Sequence, residues 1–184
     1  SAKDLAGTSL LVTAGGTREP IDAVRVIANR SSGKQGYAIA EQAHKRGATV
    51  TIVSTVDRQT LAGITVVPVE TAQQMLDAVS CHAPSSDVVV MTAAVADFRP
   101  VKAVAGKIKK DHGIPEILLE PTVDILGFLG ANKPAGQPAG AVRQGLGAAD
   151  LAGRHGRVQQ GAGRRWQGLR HVGQGRPVAA EEDA

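Results

Sequence analysis

Short apolar runs alternate with amphipathic stretches along the first half of the chain. Residues 10–13 (Leu-Leu-Val-Thr) form an apolar run that stops at Ala14-Gly15-Gly16, the mark of a buried strand ending in a tight turn. Residues 37–46 place Ala38, Ile39, Ala40 and Ala43 beside Glu41, Gln42, Lys45 and Arg46, which predicts an amphipathic helix closed by Gly47. Strands follow over 50–53 and 64–69. Thr71 and Gln74 have capping-box spacing ahead of Met75, Leu76, Ala78 and Val79, so a second helix is predicted up to about Pro84. Residues 87–91 lack polar alternation, as buried parallel strands do. Near residue 122, Thr122 is the expected cap of a short helix over 124–129.

This alternation predicts an α/β fold: a Rossmann-like, mostly parallel sheet with helices on both faces. Ligands on such sheets lie outside the carboxyl ends of the strands, so the turns after the first and fourth strands are the places to look.

The pattern fails after Lys133. From Pro134 onward the chain has no Ser, Thr, Asn, Lys, Ile or Phe, and Gly, Ala, Arg and Gln dominate. The expected division is a nucleotide-binding domain over 1–133 and an irregular, low-complexity tail over 134–184. Composition adds little to the front half. With 42% hydrophobic residues but 2% aromatics, Ala, Val, Ile and Leu must fill the core. A single cysteine, Cys81, excludes an intramolecular disulfide and is expected to be a small buried or half-buried thiol. No apolar run approaches the roughly 20 residues of a membrane span, and a signal-peptide layout is missing at Ser1, so a cytoplasmic setting is expected. The net charge of +4 comes mostly from arginines beyond residue 140. The balanced front suits phosphorylated small molecules better than nucleic acid.

Four segments carry candidate chemistry. Gly15, Gly16, Thr17 and Arg18 follow the first strand, where glycines admit a phosphate or sugar to the backbone and the side chains add donors; a plain tight turn would look the same. Ser31, Ser32, Gly33 and Lys34 precede a helix and resemble an anion cradle, or a solvated cap with an incidental lysine. It is not a Walker A loop, because Ala28 and Gln35 stand where that motif needs Gly and Ser or Thr. Met91, Thr92 and Ala93 end the fourth strand, with Asp97 placed to accept from a base or ribose. Lys107-Ile108-Lys109-Lys110 offers charge for a triphosphate; in a strand, Lys107 and Lys109 would share a face.

Taken in order, TAGGTREPID, VIANRSSGKQGYAIAE, VETAQQM, MTAAVADFRP and KIKK closely resemble the phosphopantothenate–cysteine ligases of bacterial coenzyme A synthesis. The likeness covers about residues 8–130. It implies a homodimer that uses CTP and Mg²⁺ to turn the carboxylate of 4′-phosphopantothenate into an acyl-cytidylate, which the amine of cysteine then attacks. By the same resemblance, Asn29 bonds the acyl-cytidylate, Arg25 suits a substrate carboxylate or phosphate, and Lys107 meets CTP. Met91, Thr92, Ala93 and Asp97 match the nucleotide-side segment, with Gly15 to Arg18 and Ser31 to Lys34 as supporting loops. No metal ligands are assigned. Such ligases are normally fused behind a flavin-dependent phosphopantothenoylcysteine decarboxylase, and residues 1–13 resemble the linker.

The resemblance stops where the family has a Gly-Phe-Ala-Ala-Glu-Thr type strand, a lysine-bearing helix and an Ala-Asn-Asp segment. Here the chain reads GQPAGAVRQGLGAADLAGRHGRVQQG. The change of composition is what a GC-rich gene read out of frame would give, so residues from about 135 are expected to be a frameshifted tail and turnover to be poor or absent. Two rivals are an NAD(P)-binding Rossmann oxidoreductase and a non-enzymatic nucleotide- or RNA-binding module. The first lacks Gly-x-Gly-x-x-Gly after the first strand and an acid after Val53-Ser54. The second has only Trp166 for stacking in its tail.

Overall fold

The computed structural model describes residues 3–108 and 116–132, and the backbone of a strand at 139–141. At its centre lies β1 (Ser9–Ala14), flanked in parallel by β4 (Thr49–Ser54) and β6 (Val88–Met91). β5 (Thr65–Pro68) and β9 (Ala139–Ala141) complete a five-stranded sheet of order β5-β4-β1-β6-β9, every pair parallel. Chain order runs outward from β1 in both directions. The switch point, where ligands bind on such sheets, therefore falls between the ends of β1 and β6.

Alternation along β1 divides the core. Leu10, Val12 and Ala14 face α1 (Lys34–Lys45), packing with Tyr37, Ala40 and Ala43. Leu11 faces the other way, with Met75 and Val79 of α2 (Ala72–His82) and Ile125 and Leu129 of α3 (Ile125–Asn132). Leu11, Val12 and Ile52 are fully buried, each contributing about 1.5–3 kcal/mol of transfer energy. With no bulky aromatic side chain on α1 except Tyr37, small residues set the helix close against the sheet.

The α/β sheet with helices on both faces is as expected, and Thr71 and Gln74 form the predicted capping box on α2. Several details differ. α1 starts at Lys34, three residues before the apolar period becomes visible, because Gly33 turns the chain in a left-handed conformation (φ 69°). Asp124, not Thr122, caps α3: its Oδ1 accepts from Gly127 N at 2.9 Å, while the Thr122 hydroxyl donates to the Ala96 carbonyl. Cys81 is exposed, since it sits on the face of α2 away from Met75 and Val79. Lys107 lies in irregular chain, not a strand, and Lys109 falls outside the described residues.

Two antiparallel ribbons had no sequence signal. β2 (Arg18–Pro20) pairs with β3 (Val26–Ala28), and β7 (Phe98–Pro100) with β8 (Leu119–Pro121). Each strand has three residues, too few for alternation to show, and three of the four contain or touch proline. β9 falls within the 134–184 segment; the remainder of that segment lies outside the described residues. Among the described residues no helix is long and apolar enough to cross a membrane.

Candidate functional site

Two threonines zip the ends of β1 and β6 together. Thr13 Oγ1 accepts from the amides of Thr92 and Ala93, both at 3.1 Å, and the Thr92 hydroxyl donates back to the Thr13 carbonyl. One turn further, Ala94 N donates to Gly15 O at 2.7 Å and Thr17 N to Ala94 O at 3.2 Å. Thr17 Oγ1 then accepts from Ala96 N at 2.8 Å. Of the residues expected near a ligand, Thr17 and Thr92 therefore have their hydroxyls bonded within the protein, and like Thr13 both are buried. Met91 is buried too, its side chain in the core beside Val89, while Ala93 is half-buried.

The glycine pair has a packing reason of its own. Gly15 holds a positive φ (88°), and a β-carbon there would stand 2.2 Å from Thr55 Oγ1. A β-carbon on Gly16 would meet the Asn29 carbonyl oxygen. Asn29 is brought to this place by the β2–β3 ribbon, which starts at exposed Arg18 and returns the chain from Val26 to Ala28. Its Nδ2 donates to Val95 O at 3.0 Å, so it bridges the loops after β1 and β6 while its side chain remains exposed. Among the described residues positive φ is confined to glycines, so Asn29 is no left-handed turn former.

The start of α1 is an open helix end. Its cap, Gly33, supplies no side-chain bond, and the first turn holds no acid. A pocket of about 280 Å³ lies there, lined by residues 30–36 and Thr92. Arg30 and Lys34 border it; Arg30 is a lining cation that the motif reading passed over. Free amides, a dipole end and two cations together favour an anion. α2 is the contrast. Its amides are met by Thr71 Oγ1 and by the buried carboxylate of Glu19, which accepts from Ala72 N at 2.8 Å. That helix end is closed by the protein itself.

Arg25 lies at the tip of the ribbon, outside the pocket, and is bonded to the backbone of Ile108, the chain neighbour of Lys107. Asp22, which the sequence reading did not single out, joins them. It is buried, its Oδ2 accepts from Arg25 Nε at 2.9 Å and from Ile108 N at 3.1 Å, and Arg25 Nη2 reaches Ile108 O at 3.0 Å. The Arg25 guanidinium holds the Asp22 carboxyl well below the usual carboxylate range, with the amides of Ile108, Val24 and Arg25 adding to the effect against burial. The available signal was local: an Asp whose Oδ1 accepts from amides two and three residues on marks an Asx turn. Asp97 is exposed at the start of the β7–β8 ribbon, its carbonyl accepting from Thr122 N. Among the described residues no cluster of three or more His, Cys, Asp or Glu groups could hold a metal ion.

The profile of the DFP family, the DNA/pantothenate metabolism flavoprotein C-terminal domain, matches residues 5–142. The chain belongs to this family. It is 60% identical over 126 residues to the coenzyme A biosynthesis bifunctional protein CoaBC of Mycobacterium tuberculosis, covering 67% of this chain and 30% of that protein. The Bacillus subtilis CoaBC is 44% identical over 131 residues, 70% of this chain and 32% of its own length. The chain thus spans about a third of the curated relatives it matches. The crystal structure of the C-terminal domain of a CoaBC superposes with a TM-score of 0.65 at 46% identity, covering 76% of this chain and 65% of that one. A Cab2 mutant in complex with phosphopantothenate-cysteine shares the fold at a TM-score of 0.56 and 19% identity, over 73% of this chain and 62% of that one.

Proposed function

We propose that this chain carries the front half of a CTP-dependent phosphopantothenate–cysteine ligase of coenzyme A biosynthesis. One observation carries the reading: the first, second and third candidate segments meet at the switch point, with Asn29 bonded across it and an uncapped helix start beside it. Membership of the DFP family supports it.

In this reading the triphosphate of CTP lies toward the start of α1 and Lys34, where amides and cations offset its charge. Lys107 meets the nucleotide, and Asp97 the base or ribose. Arg25 holds the substrate carboxylate or phosphate, and Asn29 steadies the acyl-cytidylate. The carboxylate attacks the α-phosphorus, pyrophosphate leaves, and the cysteine amine then displaces CMP. Positioning and charge neutralisation are the protein's share of the work. Mg²⁺ would travel mainly on the phosphates and water, as it commonly does with nucleotides.

A homodimer and a cytoplasmic setting belong to the same proposal, as does a fused flavin-dependent decarboxylase, in line with the bifunctional relatives. Phe98, Leu118 and Leu119, exposed on and beside the β7–β8 ribbon, offer an apolar surface to a second copy. The family match runs to 142 and takes in β9, so we place the start of the frameshifted tail after 142 rather than near 135, and expect binding without efficient turnover. Calorimetric titration of CTP and then ATP with Mg²⁺, with a Lys107→Ala control, tests the proposal. Saturable CTP binding weakened in the control is expected; a folded chain that binds no CTP would overturn it.

A further inference from the structure

The segment carrying Lys107 has no regular structure, yet it is fastened at three points to one short loop. Val104 N donates to Ile21 O at 3.1 Å, Ile108 N to Asp22 Oδ2 at 3.1 Å, and Arg25 Nη2 to Ile108 O at 3.0 Å. Two of these three pass through the residue next to Lys107, and both involve Asp22 or the guanidinium it holds.

The two oxygens of Asp22 have separate tasks. Oδ1 accepts from the amides of Val24 and Arg25, both at 2.8 Å, which shapes the turn. Oδ2 accepts from Arg25 Nε, Arg25 Nη2 and Ile108 N, which orients groups beyond the turn. Nε and Nη2 of Arg25 are therefore engaged inward, and among the described residues no partner meets Nη1, the edge left for a ligand. Asp22 itself is buried, so it does not reach a ligand.

We infer that Asp22 is a positioning residue that sets Arg25 and the Lys107 segment in one fixed arrangement, so that the two cations of the site act as a unit. Resting on the ligase reading, it adds a residue that touches neither substrate nor nucleotide. A carboxylate is needed because three N–H groups converge on one oxygen; an amide would turn a donor toward them.

Asp22→Asn separates the two tasks, since its oxygen can keep the turn while Oδ2 is lost. CTP with Mg²⁺ is titrated into the wild type, Asp22→Asn, Lys107→Ala and the double variant. Asp22→Asn is expected to weaken binding roughly tenfold, as loss of an orienting partner commonly does. Lys107→Ala should then cost less in the Asp22→Asn background than in the wild type. Additive effects, or undiminished affinity in Asp22→Asn, would overturn the inference. A second measurement needs no nucleotide: in ¹⁵N spectra, Asp22→Asn should displace both the Arg25 Nε and the Ile108 amide resonances. Arg25→Gln should also displace the Ile108 amide, which covers the case in which Asp22→Asn does not fold. An Ile108 amide that ignores these changes sinks the inference, whereas absent CTP binding with a responsive amide sinks only the nucleotide reading.

Discussion

A β-carbon on Gly16 would stand 2.3 Å from the carbonyl oxygen of Asn29. The neighbour is backbone, so it cannot swing aside as a flexible side chain would. Gly16→Ala must therefore push the residue 29 backbone away from the β1 loop and strain the Asn29–Val95 bond. We expect a stability loss of about 1–3 kcal/mol, typical of overpacking. CTP affinity should fall further than the melting temperature alone would imply. Calorimetry and thermal melts on the same samples check this; a variant that binds and melts as the wild type does would refute it.

Gly36 makes the same point inside α1. A β-carbon there would lie 2.7 Å from Thr92 Oγ1, 2.8 Å from Ala14 Cβ and 2.9 Å from Thr13 O. Gly36→Ala gains helix propensity of about 1 kcal/mol. The clash should nevertheless win, because all three neighbours belong to the strand ends joined by the Thr13–Thr92 bonds. A net loss of stability is the expected sign in urea titration, and a stabilised variant would show that the strands yield.

The sequence made the sheet legible because β1 and β6 carry continuous apolar runs, β4 holds Val50, Ile52 and Val53 with only Thr51 between, and α1 and α2 have clear periods. The site was legible as segments but not as contacts. Asn29 and Arg25 were visible through the resemblance alone and Lys107 also through its charge run, and the bonds that seat Asn29 and Arg25 run over 66 and 83 residues of chain, beyond any local pattern. Thr17 looked like a ligand donor because a threonine after a strand end gives no sign that its hydroxyl will be claimed by Ala96. Asp22 was passed over for a related reason: its turn is local, but its three-way grip on Arg25 and Ile108 depends on a distant loop.

Acid should expose that grip. The Arg25 guanidinium holds the Asp22 carboxyl low, and the amide and then the hydroxyl of Ser9 do the same for Asp87. Both groups are more acidic folded than unfolded, so the unfolded chain binds protons first. Their contribution is present above the unfolded value of about 3.9 and drains away as pH falls toward the folded values. Melting temperature is expected to drop steeply below about pH 4. Asp22→Asn should be less stable at neutral pH yet flatter in the acid range. An unchanged acid slope in the variant would contradict the assignment.

The closed end of α2 predicts a stability effect without a binding effect. Thr71 Oγ1 accepts from Gln74 N at 3.2 Å, and Gln74 Oε1 accepts in return from Thr71 N at 3.3 Å. Thr71→Ala removes one side of this box and should cost about 1 kcal/mol. CTP affinity should be untouched where the protein stays folded. Loss of nucleotide binding in step with the cap would mean that α2 belongs to the site after all.

The open end of α1 predicts the reverse. With Gly33 as cap and no acid in the first turn, what the helix lacks is an anion, and Lys34 adds a charge at its rim. The effect should scale with phosphate number, because a field at the helix start acts on charge and not on the base. Titrating CMP, CDP and CTP into the wild type is expected to give rising affinity along the series. Lys34→Ala should weaken CTP by about two- to fivefold, leave CMP nearly unchanged, and show less effect as salt is raised. Lys34 is exposed, so a change in fold is not expected to confuse the result. An equal loss for all three nucleotides would place Lys34 near the sugar or base, and would move the triphosphate away from this helix.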